Sequence, residues 1–221
     1  MFYKLWSNNI IQIGVWETIY MTVIATVFSY LIGLPLGVIL SVSDVNGIRP
    51  AKWINRILGF IVNFFRSIPF IILMVAMLPV ARFILGTSLG NGAVIVMLVI
   101  GAAPYVARMV ESSIKEVSGG VIEAAQSIGC TNMQIITKVL LPEAKPALIN
   151  GAMISMVTIL GYSAMAATIG GTGLGQIAII YGHQRSNDDI TWVCVLLTVA
   201  IVQIIQMVGT YIARKTDKRI K

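Results

Sequence analysis

Four stretches of this chain carry no charged side chain at all: residues 18–43, 83–107, 146–184 and 190–213. A helix needs about 20 consecutive apolar residues to cross roughly 30 Å of hydrocarbon. Inside lipid it must also satisfy its own backbone hydrogen bonds, which favours helices over open sheets. Three of the windows fit one spanning helix each. The window at 146–184 is too long for one helix and too short for two with a connection. Gly170, Gly171, Gly173 and Gly175 interrupt it, so a helix is expected to about residue 168, followed by a loop or short helix. Residues 58–81 supply a fifth candidate, apolar except for Arg66, with Pro69 three residues later. The expectation is an all-α integral membrane protein with helices at about 15–42, 58–81, 91–110, 147–168 and 190–213, forming a single transmembrane domain over residues 1–221. Within the first helix, Gly33-Leu-Pro-Leu-Gly37 has the small-xxx-small spacing that lets a second helix approach closely.

Composition excludes most other classes. Hydrophobic residues make up 57% of the chain and charged ones 11%, against about 25% charged in a soluble domain. Cys130 and Cys194 stand far apart with no C-x-x-C and no His/Cys cluster, so a zinc site and redox chemistry lack residues. The N-terminus does not read as a cleavable signal peptide: Lys4 is followed by polar Ser7, Asn8 and Asn9, and the apolar run after Glu17 is too long. No Gly-Lys-Ser/Thr occurs, so there is no Walker A loop. Gly171-Thr-Gly173-Leu-Gly175 has the wrong spacing for a dinucleotide fingerprint and follows a helix rather than a strand. Gly161-Tyr162-Ser163-Ala164 matches a short pattern of intramembrane serine proteases. That chemistry needs a general base within hydrogen-bond reach, and the one histidine, His183, lies beyond the glycine run. A self-contained channel or secondary transporter would need an ion relay, and the spans hold almost no ionisable residue at mid-depth.

The net charge of +7 is explained by position rather than by nucleic acid. Thirteen of the 16 basic residues fall between helices 1 and 2, at the start of helix 2, between helices 3 and 4, or after helix 5. Lys4, Arg82 and Arg185 fall on the other side. Lysine and arginine collect in the cytoplasm, so the N-terminus is expected outside and the C-terminus inside.

The long cytoplasmic loop, about residues 111–146, reads as two short helices. Gly119-Gly120 opens it, Val121–Ile128 is a helical stretch, and Gly129 stops it as a C-cap would. Thr131 can cap a second helix from about Asn132 to Leu140, which Pro142 is expected to end. Met133, Ile136, Val139 and Leu140 fall on one face at helical spacing. Such a stripe needs cover, from the chain's own membrane helices or from a partner.

Glu123-Ala124-Ala125, three residues, Gly129, nine residues, then Val139-Leu140-Leu141-Pro142 resembles the EAA signature of ABC-importer permeases. That signature has isoleucine where this chain has Val139. The resemblance implies the ABC type I importer permease fold, with the coupling helices of this loop docked in a cleft of a separate ATPase subunit. Glu123, Ala124 and Ala125 would lie on the first coupling helix. Gly129 would make the turn, and Val139, Leu141 and Pro142 would hold the second helix and its exit. Met133 and Ile136 complete the expected coupling surface.

Arg66-Ser-Ile-Pro69 resembles the start of helix 2 in amino-acid importer permeases, and Gly101-Ala-Ala-Pro104-Tyr-Val-Ala-Arg108 and Gly161-Tyr-Ser-Ala-Met165 are similar to the methionine-importer branch. The implied substrate is methionine of L or D configuration, the alternative being another amino acid or a short peptide. Arg66 and Pro69 read as structural or interfacial. Tyr162, Ser163 and Met165 in helix 4 are the candidates for the pathway and gate. The resemblance implies a homodimer in the prokaryotic inner membrane, with two ABC ATPase subunits and an extracytoplasmic solute-binding protein. ATP and magnesium would bind the ATPase, leaving no cofactor, no metal and no catalytic residue on this chain.

Overall fold

The computed structural model describes residues 8–217, whose regular structure is all helical with no strand. Lys4 and the basic residues Lys218, Arg219 and Lys221, used above for orientation, lie outside them. The helices are α1 (Ile10–Ser43), α2 (Lys52–Ser67), α3 (Phe70–Ala76), α4 (Leu78–Leu85), α5 (Asn91–Lys115), α6 (Gly119–Ser127), α7 (Asn132–Gln134), α8 (Leu141–Glu143), α9 (Lys145–Met165), α10 (Leu174–Ile177) and α11 (Asp188–Thr216). Among the described residues four spans are long and apolar enough to cross a membrane: α1, α5, α11, and α9 with its 3-10 continuation to Ile169. The fifth, if counted, is α2 with α3.

That fifth span departs from the expected continuous helix over 58–81. The helix begins earlier, at Lys52, and is broken between Ser67 and Phe70. Pro69 has φ −54° and ψ 132° and no N–H to give the preceding turn. A second interruption at Met77 precedes Pro79 in the first turn of α4. At the other end of the chain, Asp188 and Asp189 stand in the first turn of α11 and Arg214 and Lys215 in the last, both matching the helix dipole.

The chain divides into two compact units. The first holds the described residues up to Phe28, with Ile68–Ala102 and Met156–Gln206. Its core is Met21, Met74, Met97, Leu98 and Ile159, with a second cluster of Ile11, Leu174, Ile177, Ile190 and Cys194. Thr18 and Thr22 are buried in this apolar setting because each hydroxyl donates to the carbonyl four residues back, at 2.8 and 2.7 Å. Thr18 Oγ1 also accepts the Leu174 amide at 2.9 Å. Asn91 Oδ1 accepts the Thr172 amide and hydroxyl at 3.3 and 2.6 Å, while its amide donates to Glu17 at 3.1 Å. The glycine run is therefore pinned by its neighbours' side chains, and the amides of Gly170, Gly171, Thr172 and Leu174 are already bonded.

The second unit holds Ser29–Ser67, Ala103–Ser155 and the residues from Met207 onward. Here α1 lies directly on α5. A Cβ at Gly33 would meet Val106 at 2.7 Å, and one at Gly37 would meet the Ala107 carbonyl at 2.5 Å. The small-xxx-small spacing thus serves close backbone approach.

Candidate functional site

The segment after α5 is built on the second unit's core. Val106, Val110, Ile114 and Val117 pack with Ala125, Ile135, Leu140 and Ala144 in one buried cluster. Ile136, Val139 and Leu141 pack half-buried against it. These residues hold the segment to its own helices.

The turn between the two short helices is a Schellman closure. The Gly129 amide donates to Gln126 O at 2.9 Å and the Cys130 amide to Ala125 O at 3.1 Å. Gly129 takes φ +79° with nothing within 4 Å of a hypothetical Cβ, so conformation rather than space requires glycine there. Thr131 and Gln134 then form a reciprocal capping box.

Pro142 does not end the second helix as expected. Residues Ile135–Leu140 widen into a π-helical turn, the Leu141 amide donates to Ile136 O, and α8 carries Pro142 in its first turn. The wider turn accommodates the amide that proline lacks.

The tip of this segment is exposed and apolar. Ile128 is 81% exposed and Met133 67% exposed, beside exposed Glu123 and Ala124. Of the apolar stripe expected on the second helix, only Met133 faces outward. Ile128 was not singled out from the sequence, although an isoleucine immediately before a left-handed glycine cap is the signal that finds it.

A cleft of about 480 Å³ separates the first short helix from the loop after α1. Asp44, Asn46, Lys115, Glu123 and Gln126 are among its lining residues. On one wall Lys115 Nζ lies 2.6 Å from Asp44 and 2.9 Å from Glu111. Glu111, nearly buried, also pairs with Arg108. Arg108 reaches on to Asn63 Oδ1 at 3.0 Å and Gly59 O at 3.3 Å. The ammonium of Lys115, then the Val45 amide, hold the Asp44 carboxyl below the usual carboxylate range. This chain of charges also escaped the sequence reading. Its signal is the i, i+3 and i, i+4 spacing of Arg108, Glu111 and Lys115 at the end of an otherwise uncharged helix.

In the first unit, the pathway candidates separate. Tyr162 stacks on Phe70 with ring centroids 4.1 Å apart and 7° between planes. Ser163 is buried and donates to Leu160 O at 2.7 Å. Met165 is 47% exposed. His183 is exposed and makes no hydrogen bond to Ser163, so no serine–histidine pair is assembled. Arg66 is exposed in the last turn of α2, and Pro69 caps α3.

The model of a family described as binding-protein-dependent transport system inner membrane component matches residues 33–221. The chain belongs to this family. As a member it is the membrane component of a transport system and not an enzyme, as the EAA spacing implied. It is 47% identical over 96% of its length to the probable D-methionine transport system permease protein of Vibrio cholerae, covering 95% of that protein. It is 53% identical over 152 residues to the D-methionine transport system permease protein of Escherichia coli, which covers 69% of this chain and 70% of that one. A chain of the MetNI methionine ABC transporter, crystallised in inward-facing conformations, superposes with a TM-score of 0.91 at 47% identity, covering 95% of this chain and 97% of that one. An amino acid ABC transporter chain shares the fold at 18% identity and a TM-score of 0.80, covering 97% of each. The architecture of this family member is the type I importer permease fold.

Proposed function

We propose that this chain is the membrane-spanning permease of an ATP-driven importer for methionine, of L or D configuration. The observation that carries the substrate is 47% identity over 96% of the chain to a probable D-methionine transport permease. Two copies form a homodimer with the pathway between them, and residues 1–221 act as one transmembrane domain. Two ABC ATPase subunits bind the cytoplasmic face and hold the ATP and magnesium. A solute-binding protein delivers methionine from outside. The N-terminus is external and the C-terminus cytoplasmic, in the inner membrane of a prokaryote.

In this reading the ATPase closes on ATP and carries Glu123–Pro142 with it. Ile128 and Met133 are apolar side chains suited to burial in a partner's cleft, and Glu123 and Ala124 lie beside them. The buried side of the segment is continuous with the packing of α5, so a displacement of the tip is passed to that helix as a rigid body. Met165 serves the pathway as the mobile apolar closure, and Tyr162 supports it by holding the start of α3 through Phe70. Ser163 shapes α9 through its bond to Leu160.

A methionine auxotroph lacking its own high-affinity uptake system tests the proposal. Supplied with this chain, its ATPase and its binding protein, the strain should grow on micromolar methionine. Growth that does not require this chain, or that follows another amino acid, would overturn it.

A further inference from the structure

The second helix, α2, is the least hydrophobic of the five helices of 16 or more residues, yet the most one-sided. Its inner face is settled. Asn55 donates to Leu40 O at 2.8 Å, and Gly59 and Val62 are buried, Val62 with Leu40 and Ala107. Its outer face is a stripe at helical spacing: Trp53, Ile57, Phe60 and Phe64, with Trp53 74% and Phe60 70% exposed. The Phe60 and Phe64 rings stack at 6.3 Å.

At the N-terminal end of that stripe stand three exposed cations, Arg49, Lys52 and Arg56. Among the described residues none of them forms an ion pair, whereas Arg108 and Lys115 in the same unit both do. Arg56 lies 5.8 Å from the Trp53 ring centre, which leaves it beside the aromatic body rather than on a carboxylate. The first turn of α2 has no acidic residue to offset the helix's positive end.

We infer that this face binds an anionic glycerophospholipid, its phosphate held by Arg49, Lys52 and Arg56 and its acyl chain laid along Trp53, Ile57, Phe60 and Phe64. Charge complementarity selects the occupant. An amphipathic helix with unpaired cations, an indole at its end and exposed apolar side chains is the pattern that seats in an anionic membrane interface. A protein partner would be expected to supply carboxylates to these cations while covering an aliphatic and aromatic strip more than three helical turns long; a lipid supplies both at once. The inference is independent of the transported solute.

The test uses the full chain in lipid nanodiscs, with Trp6, Trp16 and Trp192 replaced by phenylalanine so that Trp53 reports alone. Brominated phosphatidylglycerol should quench Trp53 at a several-fold lower mole fraction than brominated phosphatidylcholine. Each cation neutralised to glutamine should weaken the preference by about fivefold, Arg56→Lys should keep it, and about 0.5 M salt should collapse it. Equal quenching by both lipids, a preference that survives the triple glutamine variant, or no quenching by either lipid because a subunit covers the face would each overturn the inference.

Discussion

Lys115 Nζ lies 2.6 Å from the carboxylate of Asp44, joining the end of α5 to the residue that follows α1. Four residues later, at Gly119, the chain enters the first short helix of the coupling segment. Lys115 is half-exposed while its second partner, Glu111, is nearly buried, and the two bonds should therefore differ in worth. Lys115→Met should cost less than about 1 kcal/mol of stability, because its pair with Asp44 is exposed and Glu111 keeps Arg108 as a partner. Arg108→Met leaves Glu111 and the Asn63 and Gly59 acceptors short of a donor and should cost about 1–3 kcal/mol. Thermal unfolding in detergent should rank the two variants in that order.

The same pair sets a pH expectation. The folded-state pKa of Asp44 is lowered, chiefly by Lys115. Its contribution is therefore complete above the ordinary carboxylate value of about 3.9 and is lost as pH falls through the lower folded value. The melting difference between the wild type and Asp44→Asn should stay constant from about pH 8 to pH 5 and shrink only below about pH 4.

Gly129 should tolerate substitution in the order Asn, Ala, Val. Its φ of +79° costs a residue with a Cβ about 1–2 kcal/mol, and asparagine least. Gly129→Val should leave the protein in the membrane while ATP hydrolysis continues without matching uptake, as should Glu123→Lys. Paired hydrolysis and uptake assays check this.

Ile128→Asp and Met133→Asp should abolish copurification with the ATPase while the chain alone keeps its melting temperature, because both side chains are exposed before docking. Ala125→Asp, by contrast, buries a charge and should lower the melting temperature itself.

Met165→Ala should raise substrate-independent leak in proteoliposomes, its side chain being the exposed one of the three pathway candidates. Tyr162→Ala removes the Phe70 stack and should change uptake by loosening the start of α3 rather than by opening the path. Flux of a small solute with and without ATP separates the two effects.

The spans were legible because charge is scarce and lipid tolerates so little of it. The Gly33/Gly37 approach, the Gly129 turn and the Thr131 cap were legible because each depends on local backbone chemistry. The break at Pro69 was not, since an unbroken hydropathy profile conceals where a helix stops and restarts. Pro142 misled in the opposite sense: a π turn upstream let the helix continue through it. Ile136 and Val139 share a helix face with Met133 by periodicity, yet only tertiary packing decides that the first two turn inward. Asp44 and Lys115 stand 71 positions apart in sequence, beyond any local rule.

The most direct test is uptake of radiolabelled methionine into proteoliposomes holding this chain with its ATPase, with the solute-binding protein outside and ATP inside. Accumulation that requires all three proteins and ATP, competes with unlabelled methionine and fails in Gly129→Val is the predicted result. Accumulation without ATP or without the ATPase, or full coupling in Gly129→Val, would contradict it.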